Sequence, residues 1–319
     1  MRIITAIIAI CLAAPVWADP VLWRAEWPNT DFTQSEIEFD SVMDGGPPRD
    51  GIPALDAPQM IAVGDETRLA PNEPVITVSL DGPARAYPLR YLTWHEIVND
   101  EVEGLPIAVT FCPLCNSAIT FDRRVADRVL SFGVSGKLRH SDMIMYDRET
   151  ESWWQQAIGQ GIVGEMTGVD LDVIHVSWVE SWESFSTRHP DGLVMDQPDF
   201  NRPYGRNPYV GYDSSAQPFL YNGENPPHGI EPLARVVRVG TQAWPLSRLS
   251  QEGSISEAGV TLDWQGGVAS ALDAARIPEG RDVGMVRVSD GQGADIAHDV
   301  MFAFAFHAFW PEGDWMLGQ

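Results

Sequence analysis

Short runs of apolar residues that alternate with polar ones recur along the chain, and this period of two predicts strands. The predicted strands are Val75–Leu80, Pro106–Phe111, Ala118–Phe121 and Val129–Val134, together with a hairpin of Met143–Tyr146 and Ser152–Ala157. Fewer segments have a helical period. The pattern therefore predicts an α+β fold that is predominantly β.

Two helices are predicted from their start signals. Pro88 suits the first position of a helix, and the apolar residues after it predict a helix that ends near Asn99. Ser177–Glu180 has the form of a capping box, which predicts a second helix that ends at His189.

A weak internal repeat links the two halves of the chain. Ala86–Leu92 reappears as Ala243–Leu249, each after a Val-rich segment, and the helix ending at His189 resembles Phe304–Trp310. The repeat predicts two lobes related by duplication, and chance similarity of two strand–Pro–helix units is the alternative. The second copy contains no cysteine, so any thiol chemistry lies in the first.

Composition shifts divide the chain into five segments. A stretch rich in Pro, Gly, Asn and Tyr resists regular structure and is predicted to be a long loop, and such loops are often functional. The predicted segments are a signal peptide (1–18), an N-terminal wrap (19–72), a first lobe with the cysteine pair (73–200), a connecting loop (201–232) and a second lobe without cysteine (233–319).

The first segment has the features of a secretory leader. Arg2 precedes the apolar stretch Ile3–Ala14, which is too short to span a bilayer, and a cleavage site follows at Ala18. Cys11 follows Ile10, where a lipid-attachment site requires a small residue. We therefore expect an exported protein, in the periplasm of a Gram-negative bacterium or secreted, without stable membrane insertion after cleavage.

Charge and cysteine content exclude several classes of protein. The chain has 21 Lys plus Arg against 45 Asp plus Glu, for a net charge of −24. Nucleic-acid binding requires clustered positive charge, so no nucleic-acid partner is expected. Three cysteines are too few for a disulfide-rich scaffold.

Cys112 and Cys115, the cysteines outside the leader, form a CxxC pair with three interpretations: a redox disulfide, a metal site or an inert clip. A thioredoxin-type site needs a helix after the motif, whereas a strand is predicted here. Thiolates suit copper, zinc and iron–sulfur centres, so we expect a transition metal, copper or zinc. His95 is the expected third ligand, and Asp142 or Glu96 is expected as a fourth ligand or as the acceptor for His95. The alternative for His95 is a core-edge histidine bonded to a backbone carbonyl.

Five further residues are candidates for substrate binding, each with a structural alternative. Their types suit anion binding, stacking or loop closure, but ion pairing within the fold or core packing would explain them equally. They are Arg139, Asp142, Trp153, Arg206 and Tyr209. In particular, Arg139–Asp142 and Asp147–Arg148 are expected as structural pairs if they do not bind ligand.

Several motifs together resemble a known family. They are Gly46–Ala54, Arg85–Leu89, His95–Asp100, Thr110–Ala118 and Ser141–Arg148. The combination is similar to the bacterial family catalogued as domain of unknown function 3179 (DUF3179), from about Gly45 to Tyr212 and more faintly to the C-terminus. The resemblance implies that the His-Glu and Cys-Pro-Leu-Cys segments are family motifs. It also implies that His140 falls where Asn is common, which favours His95 over His140. It implies no activity.

Two hypotheses of function remain. The first is an exported metal- or thiol-dependent protein of the oxidoreductase type, centred on Cys112, Cys115 and His95. The second is a non-enzymatic module that binds a small molecule, with a structural Cys112–Cys115 disulfide. The presence or absence of bound metal distinguishes the two hypotheses. Neither the motifs nor the composition decides whether the protein is an enzyme.

Overall fold

The computed structural model describes residues 20–175 and 177–318, so the predicted leader (1–18) lies outside the described residues. Strands hold 37% of the residues and helices 15%, which confirms a predominantly β fold. The strands are β1 (Val42–Asp44), β2 (Leu55–Asp56), β3 (Met60–Ala62), β4 (Pro74–Val78), β5 (Arg85–Pro88), β6 (Ile97–Val102), β7 (Leu105–Cys112), β8 (Ser117–Asp122), β9 (Arg124–Val125), β10 (Arg128–Val129), β11 (Phe132–Arg139), β12 (Asp142–Asp147), β13 (Trp153–Gln155), β14 (Gln160–Val163), β15 (Ser177–Ser181), β16 (Leu193–Met195), β17 (Arg235–Val239), β18 (Gln242–Pro245), β19 (Ser254–Glu257), β20 (Val260–Gln265), β21 (Met285–Asp290), β22 (Asp299–Phe302) and β23 (Asp314–Trp315). The α-helices are α1 (Pro20–Trp23), α2 (Leu89–His95), α3 (Trp182–Arg188), α4 (Leu246–Glu252) and α5 (Ala303–Phe309).

The main sheets are arranged as a five-bladed, propeller-like ring, an arrangement that does not confirm a division into two lobes. Every residue of β4 is buried, because a strand covered on both faces carries apolar side chains on both. β8, β12 and β13 are likewise buried at every residue, whereas β19, β20 and β21 alternate between buried and more exposed positions.

Two of the sheets have the same connectivity. In one, the strand order is β15-β4-β5-β16, with β3 at the edge, and in the other it is β22-β17-β18-β23. In each, an antiparallel hairpin leads into a helix, and the last strand pairs in parallel with the second strand of that hairpin. Both predicted strand–Pro–helix units are therefore present at equivalent places.

An additional antiparallel sheet lies between the repeated elements of the first half. Its strand order is β1-β11-β12-β13-β14, and β1 comes from the N-terminal segment. The second half has no counterpart among the described residues. This inserted sheet brings Asp142, at the start of β12, to the cysteine-bearing part of the first half.

The predicted helix after Pro88 is shorter than expected. It ends at His95, and Ile97–Val102 forms β6 instead. Glu96 leaves the helix with φ 61°, and this positive φ turns the chain into the strand. No glycine marks that turn, so the sequence contained no ordinary stop signal.

The predicted capping box at Ser177–Glu180 is also wrong. These residues lie in β15, which pairs with β4. Ser181 caps the following helix, because its Oγ accepts the backbone N–H of Ser184 at 3.1 Å.

The N-terminal segment packs against the inserted sheet through aromatic side chains. Trp27 and Phe32 both contact Trp153, with ring centroids 5.5 Å apart in each pair. Trp153 is fully buried. The N-terminal segment and the inserted sheet therefore share a separate hydrophobic core.

Within the described residues, no helix combines the length and apolar character that crossing a bilayer requires.

Candidate functional site

The two cysteines flank a tight turn between β7 and β8. Cys112 ends β7, and its carbonyl accepts the backbone N–H of Cys115 at 3.2 Å. Both thiols face the carbonyl oxygen of Ser141, at 4.0 Å from the Cys112 Sγ and 3.6 Å from the Cys115 Sγ. The sulfurs thus lie on one side of the turn, and both cysteines are free and buried.

Asp142 reaches the cysteines from a strained hairpin turn. Arg139 pairs with Asp142 across the hairpin, and the two residues between them, His140 and Ser141, have φ of 53° and 63°. Two residues with positive φ are the signature of a type I′ turn, which glycine and asparagine usually occupy. The Ser141 hydroxyl holds the turn by donating to the carbonyl of Phe219.

Cys112, Cys115 and Asp142 form a compact group of metal-type ligands. One ligand atom from each lies within 4.8 Å of the other two, and all three residues are buried. Asp142 Oδ1 accepts hydrogen bonds from Gln155 Nε2 (2.6 Å) and the Ala157 N–H (3.0 Å), whereas its buried Oδ2 has no hydrogen-bond partner. The unpartnered Asp142 Oδ2 therefore has electron pairs that a cation could accept.

Burial disfavours the charged form of each member of this group. It raises the pKa of the Asp142 carboxyl to about 6 and raises the pKa of both thiols. Without a bound cation, burial therefore favours the neutral form of both thiols, and these buried thiols lack the exposure that a surface redox pair has.

His95 is not where the sequence analysis expected it. Its Nδ1–H donates to the carbonyl of Pro53 at 2.7 Å, and its Nε2 accepts the hydroxyl of Tyr204 at 2.6 Å. Neither ring nitrogen is free to bind a metal, and among the described residues His95 is outside the ligand group. The alternative, a core-edge histidine bonded to a backbone carbonyl, describes its contacts.

The two expected ion pairs are also absent from the described part of the chain. Arg139 donates to Gln155 at 3.4 Å and lies over the Phe309 ring instead of pairing with Asp142. The Arg148 guanidinium pairs with Asp56 at 2.8 Å. Asp147, the expected partner of Arg148, accepts from Trp154 Nε1 and Thr150 Oγ1 instead.

The remaining substrate-binding candidates lie in three different environments: the core, the surface and the candidate site. Trp153 is fully buried and packs against the N-terminal segment. Arg206 is exposed, and its carbonyl accepts the Trp94 indole N–H. His140, the alternative ligand, packs against Tyr221 and Phe309, and burial lowers its pKa to about 4. Of the three substrate-binding candidates Trp153, Arg206 and Tyr209, only Tyr209 lies at the candidate site.

A cavity of about 420 Å³ lies close to the ligand group, although its lining does not include Cys112, Cys115 or Asp142. Leu114 and Met143, the chain neighbours of the cysteines and of Asp142, form part of its wall. The predicted loop (201–232) forms another part through residues 208–212, 215 and 219. The loop expected to be functional therefore covers the space beside the cysteines.

Glu96 is a site residue whose placement the sequence analysis did not predict. It is buried, lines the cavity and accepts the Tyr209 hydroxyl at 3.3 Å. Burial raises the pKa of its carboxyl to about 8, an effect that the hydrogen bond from Tyr209 only partly offsets. The repeat held the signal: Gly253 ends α4 at the same offset that separates Pro88 from Pro245.

The second half of the chain holds the cysteine turn in place. Asp299 accepts the Ser117 hydroxyl at 2.6 Å and the Ala118 N–H at 3.0 Å, immediately after the turn. The Phe302 N–H donates to the Cys115 carbonyl at 2.8 Å. The half without cysteines is thus a direct support for the site.

Comparison with known protein families gives a match over most of the chain. A family model described as "Protein of unknown function (DUF3179)" matches residues 49–313. No curated protein and no solved structure matches the chain.

Proposed function

We propose that this chain, which belongs to the DUF3179 family, is an exported protein that binds a zinc-type transition-metal ion through Cys112, Cys115 and Asp142. The observation that carries the proposal is the group of three buried ligand atoms within 4.8 Å of one another. Asp142 replaces His95 as the third ligand of the predicted site.

The chemistry of the donors favours zinc over copper. Zn²⁺ accepts thiolate and carboxylate ligands together, at about 2.3 Å and 2.0–2.2 Å. Cu(I) prefers soft sulfur ligands, and Asp142 supplies a hard oxygen. Two thiolates and a carboxylate carry three negative charges when ionised, and a divalent ion balances most of them in a site that excludes water.

Zinc itself has no redox chemistry. A zinc ion would therefore make the site structural or Lewis-acidic, and oxidoreductase activity stays a prediction that depends on copper or on cycling of the thiols. The bound ion would also keep the two thiolates from forming a disulfide in an oxidising compartment.

Elemental analysis of the purified protein tests the ligand set. We expect about one metal ion per chain, lost in Cys112→Ser and Cys115→Ser, because both sulfurs are ligands. Asp142→Asn should lower metal affinity by at least tenfold, since even a residue behind the ligands typically contributes about 10–100-fold. His95→Gln should retain the metal, and His228→Asn, a change at an exposed residue, controls for chelation at the surface.

Two outcomes would contradict this ligand set. Metal-free protein whose mass is lower by two hydrogen atoms would support a Cys112–Cys115 disulfide, and with it the non-enzymatic module. Loss of metal in His95→Gln but not in Asp142→Asn would restore the histidine as third ligand. Circular dichroism of each variant shows whether the fold survives.

Export is the second part of the proposal, and the leader sequence supports it. Signal peptidase should cleave after Ala18, so that the mature chain begins at Asp19. Mass spectrometry of the protein in a periplasmic extract measures this. An intact leader in the membrane fraction would show that the segment is an anchor instead.

We also infer that the two sheets of equal connectivity arose by duplication and form two related lobes. The matching order of hairpin, helix and parallel strand supports this. On this view, the metal site belongs to the first copy, and the inserted sheet added its third ligand.

A further inference from the structure

The cavity beside the ligand group has the size of a small-molecule site and an apolar wall. Its volume of about 420 Å³ lies within the range of about 300–1,000 Å³ of such sites. Ile52, Val134 and Leu138 contribute aliphatic surface, and Val210 and Phe219 are exposed for 59% and 49% of their surface. An apolar molecule would cover this surface and release water from it.

Glu96 is the acidic group of this wall that has no counter-ion. Its hydrogen bond comes from the neutral hydroxyl of Tyr209, and among the described residues it forms no ion pair. The other ionisable lining residue, Lys137, already pairs with Glu26 at 3.2 Å. A buried carboxyl without a cation is costly, so a ligand that brings one gains from the pairing.

The backbone at Glu96 indicates that the carboxyl is kept there at a cost. Glu96 ends α2 with φ 61° and ψ −33°, and Gly253 ends α4 with φ 77° and ψ −43°. Glycine adopts such angles without strain, whereas a residue with a Cβ atom adopts them at a cost in free energy. The first half thus carries a strained glutamate where the second half has the relaxed residue.

Aromatic rings on the same wall favour a cation over a neutral group. Tyr209, Tyr212 and Phe219 all line the cavity, and aromatic faces attract ammonium groups. We propose that the cavity binds a small organic ammonium compound, whose apolar body fills the aliphatic part and whose ammonium group pairs with Glu96. This site does not require the metal, because Glu96 lies outside the group of metal ligands.

Titration calorimetry with three ligands of matched shape tests the proposal. The probes are phenylbutylamine, phenylbutanol and phenylbutyrate, added to the purified mature protein. We expect the amine to bind at least about tenfold more tightly than the alcohol, since hydrogen bonds to charged groups contribute more than neutral ones. The carboxylate should bind most weakly, because it brings no cation to Glu96 and would lose the hydration of its own charge in the cavity.

Variants assign that preference to Glu96. Glu96→Gln should remove the advantage of the amine while leaving the affinity for the alcohol nearly unchanged. Glu101→Gln makes the same change of charge at an exposed position and should leave all three affinities as they are. Phe219→Ala should weaken all three ligands, and the amine somewhat more than the other two, because it removes apolar contact from each and an aromatic face from the ammonium group.

Four results would overturn the proposal. Equal affinities for amine and alcohol, or no binding of any probe, would show that Glu96 is not a recognition group. Tightest binding of phenylbutyrate would assign recognition to Lys137. Loss of metal from Glu96→Gln would make Glu96 a metal ligand and remove the free carboxyl, whereas loss of metal from the cysteine variants with the amine preference intact would leave this site standing.

Discussion

An Asp213→Ala variant should lose about 3–5 kcal/mol of unfolding free energy, the typical cost of removing one partner from a buried ion pair. Asp213 is buried and accepts hydrogen bonds from Arg235 Nη2 and Arg281 Nη1, each at 3.0 Å. Ser270 Oγ also donates to it. Without the carboxylate, the Arg235 guanidinium, nearly as buried, would have no counter-ion.

Asp213→Ala should also weaken ligand binding in the cavity. Asp213 lies beside Tyr212 in the loop that lines the cavity, and its arginine partners fasten that loop to the second half of the chain. Urea denaturation measures the free energy of unfolding, and calorimetry with phenylbutylamine measures ligand affinity in the cavity. Glu165→Ala, which breaks the exposed pair of Glu165 with Arg128, should cost less than about 1 kcal/mol. Equal losses in both variants would contradict a structural role for Asp213.

Trp153→Ala should be about as destabilising, by about 3–5 kcal/mol, since it removes a fully buried aromatic side chain and leaves a cavity. Trp153 joins the N-terminal segment to the inserted sheet through its ring contacts with Trp23, Trp27 and Phe32. We therefore expect early proteolytic cleavage within the N-terminal segment, together with a lower urea midpoint.

An exposed strand residue provides the control for this substitution. Val129 is 49% exposed, so Val129→Ala should change stability by less than about 0.5 kcal/mol. If Trp153→Ala shifted the urea midpoint no further than Val129→Ala, the tryptophan would not be the centre of that core. Its sequence-based assignment to substrate binding would then be open again.

Most of the predicted strands are present because their signal is local, whereas the predicted strand Val129–Val134 is divided between β10 and β11. β4, β7 and β12 each carry β-branched or aromatic residues with turn signals at their ends, and their bounds lie within about two residues of the expected ones. The end of α2 was not predictable in this way. The helix stops because Glu96 adopts a positive φ, and glutamate gives no sequence signal for that conformation.

Only half of the candidate site could be predicted from the sequence, for the same reason. Cys112 and Cys115 are two residues apart, so their proximity follows from the motif. The contacts that engage His95 come from Pro53 and Tyr204, which are distant in sequence. Asp142 reaches the cysteines only through the inserted sheet, whose placement depends on long-range strand pairing that local patterns do not encode.

Because its single lysine, Lys137, is buried, this protein should react unusually with reagents for primary amines. Lys137 is the single lysine of the chain, and its side chain is 5% exposed and paired with Glu26. Every other basic side chain at the surface is an arginine or a histidine, which acylating reagents for primary amines do not modify under mild conditions. Such reagents should therefore attach one label per molecule, at the α-amino group, and mark the N-terminus selectively while leaving the folded protein otherwise untouched.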